Sequence, residues 1–176
     1  MHLPVKEARR FVKQYQSFLE HCLPRPVSAE RLADYAHNPL LALADARARY
    51  DKERGLLDAW LAAGGRMDDD IYTAITGMCV GRWIYLKDTS HYSLLLRVEE
   101  NKITSAYATW GLTERLRDIV GESGWIIDAG VMTLGGRYVS DGLISSVAML
   151  GPGIRRDLQH TLTRLRQSGL FYREAS

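Results

Sequence analysis

The sequence predicts an α+β fold: N-terminal helices, an antiparallel β-sheet of about five or six strands, and a closing C-terminal helix. Three observations predict it. Apolar residues recur at three- and four-residue steps through residues 1–80 and again after residue 151, the period of an amphipathic helix. Between them, residues 81–150 alternate at period two and are punctuated by glycines, the pattern of strands and tight turns. The chain has 176 residues, 46% apolar and 25% charged, which describes one ordinary globular domain, 1–176, that folds without disulfide or metal staples.

In the first segment Val5, Ala8, Val12, Tyr15, Leu19 and Cys22 line one helix face, and Phe11 and Phe18 widen the stripe. The Leu23-Pro24-Arg25-Pro26 run stops it, because proline cannot continue the hydrogen-bond ladder. Ser28 is placed to cap a short helix over Ala29–His37 that Asn38-Pro39 ends. Leu40–Ala63 reads as one long helix, weakened at Gly55 and closed by Gly64-Gly65. Asp68-Asp69-Asp70 suits the first turn of another, where the macrodipole is positive.

From Arg82 the period changes. Trp83–Leu86 predicts a strand, and Tyr92–Val98 and Ile103–Trp110 predict a hairpin across Glu99–Lys102. Gly111–Val120 reads as a short helix. Trp125–Leu134 and Arg137–Ser140 flank the Gly135-Gly136 turn, and Asp141-Gly142 marks a further turn or bulge. Leu143–Leu150, interrupted only by serines, reads as a strand buried on both faces. Ile154, Leu158, Leu162 and Leu165 share one face of the last helix, which Gly169 ends.

Charge narrows the function classes. The 23 basic and 21 acidic residues leave a net charge of +2, too little for indiscriminate binding to nucleic acid or membrane. No stretch approaches the roughly 18 uninterrupted apolar residues of a membrane span, and no secretory signal opens the chain. With two separated cysteines, a cytoplasmic location is the expectation. Five scattered histidines show no zinc-ligand spacing, and neither the phosphate-loop nor the dinucleotide pattern is present, so no metal or cofactor is implied.

The most specific local feature is Leu150-Gly151-Pro152-Gly153-Ile154-Arg155-Arg156, a small-residue turn between a predicted strand and a predicted helix. Orphan N–H groups of a first helical turn attract anions. Gly151 and Gly153 would let a phosphate approach, and Arg155 and Arg156 would neutralise it. Arg156, His160 and Arg164 extend the positive surface at four-residue steps, and Arg137 sits in the second glycine-rich stretch, 135–142. Glycines and a proline also serve to turn any strand into a helix, and an arginine face is the usual outer side of a packed one. Cys79 with His91 supplies nominal partners for thiol chemistry, although its Gly77-Met78-Cys79-Val80 setting predicts a buried, inert thiol.

These readings point first to a small non-enzymatic interaction or regulatory module, with a protein partner or a second copy of the chain as its target. Beside it stand an anion binder for phosphate, nucleotide or nucleic acid at residues 151–164, and a small enzyme using Asp141, Tyr138, Arg137 or the Cys79–His91 pair. No catalytic residue is assigned.

Overall fold

The computed structural model describes residues 1–175; Ser176, the last residue of the C-terminal part, lies outside them. Cα proximity divides the chain into two compact units, residues 6–76 and residues 1–5 with 77–176. The class is α+β, with seven helices and a mostly antiparallel seven-stranded sheet among the described residues.

Residues 6–76 are helical. Helix α1 (Val5–His21) buries Ala8, Phe11, Tyr15, Phe18 and Leu19. Its inner face is thus centred on Phe11 and Phe18, while Val5 stays 61% exposed, so the stripe is rotated from the expected one towards the larger rings. Phe18 meets Tyr50 edge-on with centroids 5.0 Å apart, and Trp60 at 5.6 Å. Ser28 caps α2 (Ala29–His37), its Oγ accepting the Arg31 N–H at 3.2 Å.

Asn38-Pro39 ends α2 as expected, and Pro39 is at the same time the first residue of α3 (Pro39–Lys52). Its missing N–H costs nothing there, and the Asn38 side chain accepts the Leu40 N–H. The single long helix expected over Leu40–Ala63 is two helices, α3 and α4 (Leu56–Ala62). Glu53 leaves the helical region at φ −122°, ψ 66°, and its N–H closes the last turn on the Arg49 and Tyr50 carbonyls. In α5 (Asp69–Thr76) the acids sit in the first turn as the macrodipole favours. Asp68 and Asp70 also take the Arg10 guanidinium, and hydrogen bonds from Gln14 and Arg10 hold the Asp68 carboxyl below its ordinary range.

The second unit is built on β1 (Cys79–Asp88), β2 (Ser93–Glu99), β3 (Lys102–Trp110), β4 (Trp125–Leu134), β5 (Arg137–Ser140), β6 (Ser145–Met149) and β7 (Phe171–Tyr172). The first three form a meander. β1 also pairs with β4, so the path β1-β2-β3-β5-β4 returns to its start and closes a ring of five strands. The sheet is mostly antiparallel, as expected, with two short parallel pairings, β3–β5 and β3–β7. The helix expected over 111–120 shrinks to α6 (Leu116–Val120), because Gly111 is taken up in a bridge to His2.

Strand alternation gives the sheet two apolar faces. Ile84, Leu86, Leu94, Leu96 and Ala106 pack against Leu158, Leu162 and Leu165 of α7 (Pro152–Gln167). Trp83, Tyr85, Leu95, Ile127, Ala129 and Val131 form a second cluster with Leu116 of α6. β6 is the largest departure from expectation. It pairs only along the first half of β4, with a register shift opposite Ile126/Ile127, and Val147 and Met149 remain 46% and 53% exposed. An edge strand with one paired side buries little of its apolar run, and a bulge discourages further pairing.

Candidate functional site

The residues that follow β6 build the site. Leu150 N–H donates to the Gly124 carbonyl at 2.7 Å, and Gly124 N–H donates to the Tyr85 carbonyl at 2.7 Å, so the loop before β4 is pinned between β1 and the start of α7. Gly124 has φ +96°, and a Cβ there would lie 2.6 Å from the Arg155 Cζ. Both demands select glycine. Arg155 lies across it and donates Nε–H to the Leu150 carbonyl at 3.1 Å, which fixes the guanidinium beside the β1 end.

That guanidinium borders a cavity of about 350 Å³. Lys87 of β1 and Arg117 of α6 supply two further cations, and the 121–123 loop forms another wall. Among the described residues none of the three cations makes an ion pair within 4 Å. Two carboxylates, Asp88 and Glu122, share the lining. Asp88 accepts the Ser93 hydroxyl at 2.6 Å. Burial raises the Tyr85 phenol, and its hydrogen bond to Asp88 raises it further, so it is a neutral donor at every ordinary pH. The arrangement offers cations for an anionic group and carboxylates for hydroxyl donors.

The predicted residues do not all converge. Arg155 lines the cavity, but Gly151 is the N-cap of α7 with φ −65°, and a Cβ on Gly151 or Gly153 would meet nothing within 4 Å. The fold therefore gives no steric reason for either glycine. Arg156, His160 and Arg164 are exposed on the outer face of α7. Arg137 pairs with Leu134 at the far end of β4, about 30 Å along the strand from Gly124 at ~3.3 Å per residue, and its guanidinium stacks 4.0 Å above Trp110. Sequence reading missed Lys87, Arg117, Glu122 and Ser123. The signal available was the Gly121/Gly124 pair that begins four residues after Arg117, and both glycines take positive φ in the structure.

The remaining sequence candidates fall elsewhere. Asp141 is 3% exposed and accepts the N–H groups of Gly130 and Leu143 at 3.2 Å, a loop-building position. Cys79 and His91 lie at opposite ends of the β1–β2 hairpin, about 30 Å apart at a strand rise of ~3.3 Å. Cys79 is half-buried rather than fully buried. Its Sγ accepts from Arg97 Nη1 at 3.4 Å, and it lines a smaller cavity of about 100 Å³ with Trp83, Tyr107 and Tyr138.

The two thiols therefore differ. Burial pushes Cys22 up to about 11 from 9.0, so the unfolded chain ionises first as pH rises. That contribution to stability is whole below pH 9 and is lost as pH climbs through about 11. We expect iodoacetamide to label Cys79 in the folded protein and spare Cys22. We also expect an alkaline decline in melting temperature that is shallower in Cys22→Ala. Equal labelling of both thiols, or an unchanged slope, would contradict this assignment.

Among the described residues no helix is long and apolar enough to cross a membrane. No family model matches the chain, and no curated protein or solved structure matches it.

Proposed function

We propose that the protein is a small binding module whose sheet unit holds a phosphorylated small molecule in the Lys87–Arg117–Arg155 cavity, in a regulatory rather than a catalytic role. One observation carries the reading: three cations from three separate elements converge on one cavity without an ion pair among the described residues. Like charges gathered at the edge of a low-dielectric body repel, and a bound anion offsets that cost. The volume, about 350 Å³, lies at the small end of ligand sites of roughly 300–1,000 Å³. Asp88 and Glu122 would repel a bare polyanion but accept hydroxyl hydrogens, which favours a phosphorylated polyol or nucleoside over inorganic polyphosphate.

Calorimetric titration with a sugar phosphate tests it. A charge-assisted hydrogen bond contributes about 1.5–3 kcal/mol, so Lys87→Ala and Arg117→Ala are each expected to weaken binding by about 10- to 100-fold. Arg155 is the poorer variant because it also holds Leu150. A silent titration, or affinity unchanged in both variants, would remove the reading.

A further inference from the structure

We infer that the outer face of α7 and the adjoining β7 segment form a docking surface for single-stranded nucleic acid. The inference rests on side chains outside the cavity. Residues 151–176 carry five arginines against Asp157 and Glu174. Four of those arginines, Arg156, Arg164, Arg166 and Arg173, are exposed and make no ion pair among the described residues. Arg156, His160 and Arg164 follow one another at four-residue steps on the solvent side of α7. Their Cα atoms are therefore about 6 Å apart along the axis, a step comparable to the phosphate repeat of an extended strand.

The flank of that face is not merely charged. The Arg166 guanidinium lies 5.0 Å over the half-buried Phe171 ring, and the Arg173 guanidinium lies 5.8 Å over Tyr92. The two rings are 6.3 Å apart, so two cation–aromatic stacks stand side by side. A guanidinium seated on a ring presents its opposite plane outward, where an unstacked base can lie on it. An acidic protein would use the charges and leave these planes idle. Duplex nucleic acid, with its bases stacked inside, would do the same. Single strands use both, through phosphates on the outer face of α7 and bases on the flank.

The test is fluorescence anisotropy of the full chain with a labelled oligothymidylate and an oligouridylate of about 15 nucleotides, from about 50 mM to about 200 mM salt. Polyglutamate, a duplex of the same length and phosphatidylserine vesicles serve as comparators. Single-strand binding is expected to fall with salt, to exceed duplex binding by about 10-fold, and to drop by about 10-fold in Arg166→Ala/Arg173→Ala with the melting temperature unchanged. Arg156→Ala/Arg164→Ala should lower the slope of log affinity against log salt by about 1.4, the contribution of two phosphates on a single strand. The oligothymidylate and oligouridylate arms separate DNA from RNA, and Lys87→Ala/Arg117→Ala should bind both as the unaltered chain does. Absence of binding at the lowest salt overturns the inference. So does equal binding to any comparator, or indifference to both arginine pairs. A failure of the sugar-phosphate titration with intact strand binding counts against the cavity alone.

Discussion

Leu162→Asp is expected to abolish the cooperative folding of residues 77–176. Leu162 is 2% exposed and sits between Leu158 and Leu165 against Ile84, Leu86, Leu94 and Leu96. Each buried leucine contributes about 1.5–3 kcal/mol, and the three together represent roughly 5–9 kcal/mol, an upper figure because the unfolded chain already hides some surface. The substitution removes one of them and places a carboxylate among buried apolar side chains, a burial that costs several kcal/mol more. Against net stabilities of about 5–15 kcal/mol, that is enough to release α7 from the sheet. Hydrogen exchange reads the outcome: amides of β1, β2 and β3 should lose protection, whereas Gln159→Asp on the exposed side of the same helix should leave it intact. Protection retained in Leu162→Asp would show that α7 does not seal this face.

Gly111→Ala is expected to cost about 3 kcal/mol, near the top of the range for forced overpacking. Gly111 is buried at the exit of β3, where its N–H donates to the Met1 carbonyl at 3.0 Å and its carbonyl accepts the Leu3 N–H at 3.1 Å. A Cβ there would overlap the Glu114 carbonyl oxygen and stand 2.7 Å from its carbon. That neighbour is backbone and cannot rotate away. Either the 112–115 turn opens or the bridge to residues 1–3 breaks. Gly153→Ala provides the contrast, because its Cβ enters open space inside α7 and should stabilise by roughly 0.5–1 kcal/mol. Thermal melts of the two variants should move in opposite directions. A Gly111→Ala melt equal to that of the unaltered chain would mean the close approach is absent.

Elements with a local cause were legible in the sequence. Helix α2 and strands β4 and β5 have the expected bounds, because caps, turn glycines and periodicity lie within the segments themselves. Elements with a distant cause were not. The parallel β3–β5 pairing arises because β5, paired with β4 along its whole length, meets β3 on its other edge, which no pattern within 137–140 encodes. β7 is two residues long, too short for any period. β6 carries the composition of a buried strand and yet lies on an edge, since composition reports what could be covered and not what arrives to cover it.

The candidate site divides in the same way. Arg155 was legible because it stands beside a strand-to-helix turn. Lys87 and Arg117 come from β1 and α6, and only the ring closure of the sheet and the Gly124 pinning of the loop bring them to it. Arg137 looked equivalent in sequence and is carried to the opposite end of β4.

The most direct test of the cavity as a binding site is amide chemical-shift mapping during titration with a sugar phosphate. Saturable shifts are expected at Lys87, Arg117, Gly121, Ser123 and Arg155, with residues 6–76 and Arg137 silent. Shifts confined to other surfaces, or no saturable shift at any residue of the cavity wall, would contradict it.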